Sequence, residues 1–390
     1  MERAMRIQEV ILQAISGKIH WLQAAEILGV SVRTMRRWKD YYQHSGYDGL
    51  FDRRRRTPSP RRVPLEQVER VLKLYRESYP EFNVRHFHEK LAEEHGISLS
   101  YTWVKTALQQ SGLVRRRARR SKHRTRRLRR PMEGMLLHLD GSSHLWRLLG
   151  EGEKDDLLVL MDDATSRVYG AMLVEEEDTR SSLKILRDCV AEHGVFCALY
   201  SDRGSHFAYT PKAGGPVDRS RLTQVGRALH ELHIEAILAH SPQARGRGER
   251  LFGTWQGRLP QELRLRGIRG REEANEYIRR HFIPWHNRKL TVPPEQKGSA
   301  FTPLKDRTLL DRIFCLQHPR TVGNDNTVRF DNRLLQISPS EFRFSFARCS
   351  VIVREHLDET ISVWYGPRRI GRYDPAGQPL RSAARRAVGM

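Results

Sequence analysis

At 390 residues, with 69 Lys and Arg set against 46 Asp and Glu, the chain has a formal charge of +23 and room for roughly two to four domains. That excess makes polyanions the expected partners, nucleic acid first among them. An apolar content of 38% supports real cores and excludes a bare basic tail. The four cysteines, Cys189, Cys197, Cys315 and Cys349, include no C-x-x-C pair. They exclude a disulfide framework and a zinc ribbon and fit a reducing compartment. His86 and His88 have no cysteine near them and read as solvated helix residues. No apolar run is long enough to span a bilayer, and "MERAMRIQEV" lacks the apolar core of a signal peptide. The chain therefore reads as cytosolic, with no membrane partner.

Residues 1–50 read as a helix-turn-helix. In "WLQAAEILGVSVRTMRRWKDYY", Leu22, Ala25 and Leu28 share a face, Gly29 ends the first helix and Ser31 caps the second. Val32, Met35, Trp38 and Tyr42 then form one inward stripe, leaving Arg33, Arg36, Arg37 and Lys39 on other faces. The N-terminal part of such a second helix enters the major groove, where arginine bonds guanine bidentately. Residues 51–64, with "DRRRRTPSPRRVP", read as a basic linker. Residues 65–114 read as a second helix-turn-helix domain, with Gly96 and Gly112 at helix C-termini. The two modules suit tandem reading of a long site. Residues 115–130, "RRRARRSKHRTRRLRR", hold eleven Lys or Arg in sixteen positions, including Arg115, Arg116 and Arg117. This reads as a second linker that tracks the phosphate backbone.

From 131 to 270 the pattern is that of an α/β core. "MLLHLD", "DLLVLMDDATSRVYGAMLV" and "VFCALYSD" read as strands, with a polar turn at "DDATSR". "TRSSLKILRDCVAEHG" and "SRLTQVGRALHELH" read as helices, "IEAILAHSP" as a last strand, and the segment holding Glu249 as the start of the next helix. The order βββαβαβα predicts a mixed sheet with helices on its faces. Residues 271–318 read as a helical connection, with a basic helix in "REEANEYIRRHFIPWHNRKL" and a short helix over 308–317. Residues 319–373 alternate as short strands and read as a small β-barrel, followed by a disordered tail over 374–390.

Asp140 and Asp202 each close an apolar run, and each opens a similar turn, "DGSSH" and "DRGSH". Reacting groups gather beyond the carboxyl ends of strands in such sheets. One such Asp is commonly a turn cap, whereas two with matching turns point to a shared site. Converging carboxylates raise each other's pKa, a penalty that a divalent cation removes. Oxygen donors without a His–Cys set select Mg²⁺, or Mn²⁺, over zinc. Two such ions about 3.5–4 Å apart can activate the attacking oxygen and stabilise the leaving oxygen of a phosphodiester. For the third acid, Asp162 and Asp163 lie in a turn where Asp is common, and Glu235 should point away from the buried face. Glu249 opens a helix directly after the last strand and is preferred. Arg245, Arg247, Arg250 and Arg258 surround it and are expected to draw phosphates toward it.

"LHLDGSSHLW", "LMDDATSR", "LYSDRGSHF", "TQVGRAL" and "SPQARGRGERLFGTWQ", in that order, resemble the DDE integrase-type transposases, most closely those of ISNCY-type insertion sequences. The resemblance covers nearly the whole chain. It implies a multidomain α and α/β protein in which helix-turn-helix modules precede an RNase H-like catalytic core and a C-terminal barrel. It implies catalytic, metal-holding Asp140, Asp202 and Glu249, two Mg²⁺ ions, and double-stranded DNA as partner, both element ends and target. The implied reaction is hydrolysis at each terminal inverted repeat, then attack of the freed 3′-hydroxyl on target DNA. A homodimer or higher oligomer on DNA follows from joining two ends, in a bacterial, nucleoid-associated, cytoplasmic setting. Gln256 departs from the family pattern, which favours a basic residue there. The alternatives are an inactive DNA-binding regulator and a nuclease that cuts without joining. Intact carboxylates argue against the first, and the tandem readers and barrel against the second.

Overall fold

Ser31 does what its position predicts. In a computed structural model, which describes residues 2–51, 62–116, 128–150, 152–211, 217–218, 220–239 and 246–380, its side chain accepts from the backbone N of Thr34 and starts helix α3 (Val32–Ser45). The chain divides into two units, Met1–Ser78 with Thr106–Leu113, and Tyr79–Lys105 with Val114–Met390. In the first, α3 packs with α1 (Glu2–Ile15) and α2 (Trp21–Ile27). Met35 lies fully buried among Ile7, Val10, Ile11, Ala24 and Ala25, with Trp38 and Tyr42 partly buried against them. Helix α1 was not anticipated, although Ile7, Val10, Ile11 and Ala14 carry the required helical spacing. α4 (Leu65–Glu77) also belongs to this unit.

The second unit opens with α5 (Val84–His95), capped by the Asn83 side chain and ended by Gly96 in the left-handed region at φ 63°. α6 (Tyr101–Gln110) follows, with its residues up to Lys105 in this unit and the rest in the first. The expectation for His86 is overturned, because it is 2% exposed. Its Nε2 lies 2.6 Å from Oε1 of Glu262, a residue of α10 (Leu259–Leu265). Lys90 reaches the same carboxylate at 2.9 Å, and Tyr277 donates to it at 3.2 Å. Burial alone would raise the pKa of Glu262, but the bonds from His86 and the Lys90 charge hold it well below the usual carboxylate range. Burial lowers the pKa of His86 and outweighs the attraction of Glu262. The neutral ring donates from Nε2, and among the described residues its buried Nδ1 has no hydrogen-bond partner. His286 behaves alike, accepting from Trp255 at Nδ1 (2.9 Å) and facing the Ser166 carbonyl at Nε2 (3.0 Å), with its pKa also lowered by burial.

These histidines set a pH dependence. Below an unfolded value of about 6.5, the unfolded chain binds protons that the folded chain refuses, so stability rises with pH through that window. Melting temperature is expected to fall as pH drops from 7.5 to 5, and His86→Gln to flatten part of that slope in a thermal-shift series. An unchanged slope would contradict the neutral-histidine assignment.

The core of the second unit is a five-stranded sheet of order β3–β2–β1–β4–β5. Its strands are β1 (Leu137–His144), β2 (Asp155–Asp162), β3 (Val168–Val174), β4 (Ala198–Ser201) and β5 (Glu235–Leu238). β1–β2–β3 run antiparallel, while β4 lies parallel to β1 and β5 parallel to β4. Leu158 and Leu160 of β2 enter one cluster with α7 (Thr179–His193) and α8 (Gln224–Glu231). The alternate residues Leu157, Val159 and Met161 enter a second cluster on the opposite face, with α9 (Gly246–Gln256) and α10. The period-two alternation thus gives a core to each face.

Elsewhere the structure departs from expectation. The expected basic helix is continuous but changes pitch, running as α11 (Arg271–Tyr277), a π turn (Ile278–Phe282) and α12 (Ile283–Lys289). Pro284 fits the π turn, since it cannot donate to the preceding turn. The helix expected over 308–317 stops early, as α13 (Thr308–Ile313), and β6 (Leu316–Thr321) begins.

The C-terminal strands do not close into a barrel. They form an open sheet of order β11–β10–β9–β6, with β9 (Ser350–Glu355), β10 (Ile361–Tyr365) and β11 (Arg368–Tyr373), plus a hairpin of β7 (Thr327–Phe330) and β8 (Arg333–Gln336). The two sheets share one apolar cluster without sharing ladder hydrogen bonds. Pro319 lies within β6, an edge strand, where a missing donor is tolerated. Residues 374–380, expected to be disordered, fold back onto β11 through the Leu380 N to Arg372 O bond of 2.8 Å. Most of both basic linkers and residues 381–390 lie outside the described residues. No described helix is long and apolar enough to cross a membrane.

Candidate active site

Leu137 and Leu139 point into the cluster beneath α7 and α8, so His138 and Asp140 project to the other face of β1. The register with β4 pairs Leu137 with Leu199 and His138 with Tyr200. Extended two residues past its last pair, this register would set Asp140 opposite Asp202, which follows the end of β4. Both are half-buried. Asp202 stands just past the end of β4, and its Oδ1 accepts from Gly204 N at 2.7 Å. Asp140, in contrast, is not at a strand end. The expected "DGSSH" turn continues β1 to His144, because β2 pairs with it throughout, from Asp162 to Asp155.

Helix α9 is seated on this face. Leu251, Phe252 and Trp255 are buried, Trp255 is tied to His286, and Gln256 donates to Ser142 Oγ of β1 at 3.2 Å. The unexpected glutamine at 256 therefore holds helix to strand. At the other end, Gly248 meets Asp140 so closely that a Cβ there would lie 2.6 Å from Oδ2. Glu249 is the next residue, and it is exposed. Among the described residues, no three His, Cys, Asp or Glu side chains converge closely enough to hold a metal ion. The fold seats α9 against Asp140 and sets Asp202 just past the end of the neighbouring strand β4, while Glu249 is exposed.

Comparison with known proteins gives the family. The chain is 32% identical over 372 residues to y4bF of Sinorhizobium fredii, whose name designates it provisionally as a transposase; the match spans 94% of this chain and 79% of that one. The chain belongs to the transposases. It is also 29% identical over 365 residues to the transposase for insertion sequence IS1202 of Streptococcus pneumoniae, spanning 83% of this chain and 76% of that one. A family model described as a homeodomain-like domain matches residues 34–108, and one described as a helix-turn-helix domain matches residues 8–58. Among solved structures, the chain resembles one in a simian T-cell lymphotropic virus intasome complex with a PP2A regulatory subunit, at 13% identity and a TM-score of 0.33 over 81% of this chain and 100% of that one. It also resembles the HTLV-2 integrase catalytic core domain in complex with magnesium, at 14% identity and a TM-score of 0.30 over 43% of this chain and 94% of that one. Scores this low decide nothing about the fold.

The arginines expected to meet DNA divide into two groups. Arg33, Arg36 and Arg37 of the transposase are exposed on α3, as are Arg115 and Arg116 and, on α9, Arg250. Arg258 is not available: it is 7% exposed and forks onto Glu89 at 2.8 and 3.1 Å while lying over the Trp285 ring. Arg247 is not available either, being paired with Asp163 and bonded to the Leu128 carbonyl. Arg117 and Arg245 lie outside the described residues.

Of the acids set aside as ligands, Asp162 and Asp163 have structural partners. Asp162 is fully buried and accepts from Gly134 N, Thr165 N and Thr165 Oγ1 at 2.7–3.0 Å. Glu235 is exposed. Two residues near the site were not anticipated. Glu177 presses Oε2 against Gly141, beside Asp140, and its Oε1 lies 2.9 Å from Nε2 of His206. His206 in turn packs at Gly204, against which the Asp202 carboxylate also lies. Its position in "DRGSHF" was a usable signal, whereas Glu177 hides in an acidic run.

Proposed function

We propose that this transposase recognises the terminal inverted repeats of its element, hydrolyses a phosphodiester at each end, and joins the freed 3′-hydroxyl to target DNA. The observation that carries the reading is Asp140 on β1 with Asp202 just past the end of its parallel neighbour β4, and the first turn of α9 against Asp140. Asp140, Asp202 and Glu249 would hold two Mg²⁺ or Mn²⁺ ions. Carboxylate-only donors suit such hard cations, and the glycine at 248 puts no side chain of its own against Asp140. When bound, the ions supply Lewis acidity to the phosphodiester. The chain's own residues do the rest: the sheet holds two carboxylates at fixed spacing, α9 brings the third, and Arg250 adds positive potential beside it.

In this reading, residues 1–50 and 65–114 read the ends, residues 115–130 follow the phosphate backbone, and residues 131–270 cut and join. Two ends must meet, so a dimer or larger assembly works on the bacterial nucleoid. The exposed arginines at the start of α3 support direct readout. Arg33→Ala is expected to weaken binding to the repeats by about 1–3 kcal/mol and to relax specificity, as fluorescence anisotropy would read. Arg115→Ala should weaken all sequences alike and lower the salt slope by about 1. Equal effects of the two variants on all sequences would remove α3 as the reader.

The test is incubation of the full chain with labelled oligonucleotides carrying the DNA that flanks its gene, in Mg²⁺ or in EDTA. Metal-dependent cleavage with strand transfer is expected. Cleavage alone would make it a nuclease, and binding alone a regulator.

A further inference from the structure

The first turn of α9 contains Gly246, Arg247 and Gly248, so one side chain stands between two glycines, two residues ahead of Glu249. That side chain is committed. Its guanidinium pairs through Nη1 with Asp163, and its Nη2 donates to the Leu128 carbonyl at 2.9 Å. Asp163 is fully buried and lies where the β2–β3 turn begins. It also accepts from Arg130 N at 2.7 Å and meets His138 Nε2 of β1 at 2.8 Å. Arg129 wraps the same turn, donating from Nη1 to the carbonyls of Asp163 and Ala164 and to Ser166 Oγ at 2.9–3.1 Å. One carboxylate thus gathers β1, the β2–β3 turn, the chain leaving the basic linker and the start of α9.

We propose that Arg247 is a positioning residue, whose fork onto Asp163 and Leu128 sets the first turn of α9 and so places Glu249 relative to Asp140. The inference rests on Glu249 being the third carboxylate. The two flanking glycines have no side chains, and Gly248 meets Asp140 only through its backbone, so the Arg247 guanidinium supplies a side-chain hold on the turn. Lysine preserves the charge at 247 but not a planar fork serving two acceptors at once. Partners that orient metal-holding side chains change metal affinity or activity by about 10–100-fold when lost.

The test compares wild type with Arg247→Lys, Asp163→Asn and Glu249→Gln. In metal-free protein, amide hydrogen exchange over residues 246–252 should quicken at least about tenfold in Arg247→Lys. With the end oligonucleotide, its Mg²⁺ concentration for half-maximal cleavage should rise about tenfold or more. DNA affinity should stay within about twofold and melting temperature near wild type. Asp163→Asn should move exchange in the same direction even where it also lowers stability. Unchanged exchange and metal requirement in Arg247→Lys overturns the proposal. So does a fall in DNA affinity with an unchanged metal requirement, which would make Arg247 a DNA contact. Cleavage by Glu249→Gln at the wild-type rate overturns the active-site reading itself, and the exchange data separate that failure from failure of the latch.

Discussion

Asp202→Asn is expected to lower end cleavage by at least about a thousandfold, equivalent to about 4 kcal/mol of transition-state stabilisation, while DNA affinity stays within about twofold. Asparagine keeps an oxygen to accept from Gly204 N, the bond that shapes the turn after β4. It loses the negative charge that would hold a divalent cation beside Asp140. The fold around it is otherwise set by buried apolar residues such as Leu199 and Phe207, which the change leaves alone. A gel assay of cleavage beside anisotropy of binding separates the two effects. Cleavage within tenfold of wild type would remove Asp202 from the catalytic set.

Gly248→Ala is expected to be nearly as damaging although it adds a single methyl. Alanine favours a helix interior by about 0.5–1 kcal/mol over glycine, so α9 itself should not weaken. The methyl, however, would sit 2.6 Å from Asp140 Oδ2. Either the carboxylate rotates away or the helix start retreats by close to an ångström, and both disturb the same pair of groups. Misplacement on that scale costs about a hundredfold in rate. Gly253, on the same helix and with nothing within 4 Å of its Cβ position, is the control. Gly253→Ala should leave cleavage unchanged and melt slightly higher. If Gly248→Ala cuts at the wild-type rate, the close approach of α9 to Asp140 has no functional weight.

Features written in local chemistry were legible in the sequence. Ser31 and Asn83 cap helices, Gly96 ends one, and the unbroken apolar run from Leu157 to Met161 gives a strand with two covered faces. Features decided by distant partners were not. "DGSSH" has the composition of a turn, and only pairing with residues 155–158 keeps it a strand. Arg247, Arg258 and His86 look like solvated polar residues, because their partners Asp163, Glu89 and Glu262 lie far away in the chain. Barrel and open sheet share the same alternating strands, and closure depends on edge pairing that alternation does not encode. Within the site, matching turns drew attention to Asp140 and Asp202, though only the second is a turn. In the Glu177–His206 pair, His206 was marked by the "DRGSHF" turn, whereas Glu177, held by tertiary packing, had no pattern of its own.

The central claim is that Asp140, Asp202 and Glu249 share divalent cations in the DNA-bound protein. Anomalous diffraction at the manganese edge, from crystals of the full chain with its terminal DNA soaked in Mn²⁺, tests it most directly. The account predicts manganese peaks within about 2.0–2.6 Å of oxygens from all three carboxylates, the range for hard cations on oxygen. Manganese bound elsewhere, or held by Asp140 and Asp202 with Glu249 still in solvent, would contradict it.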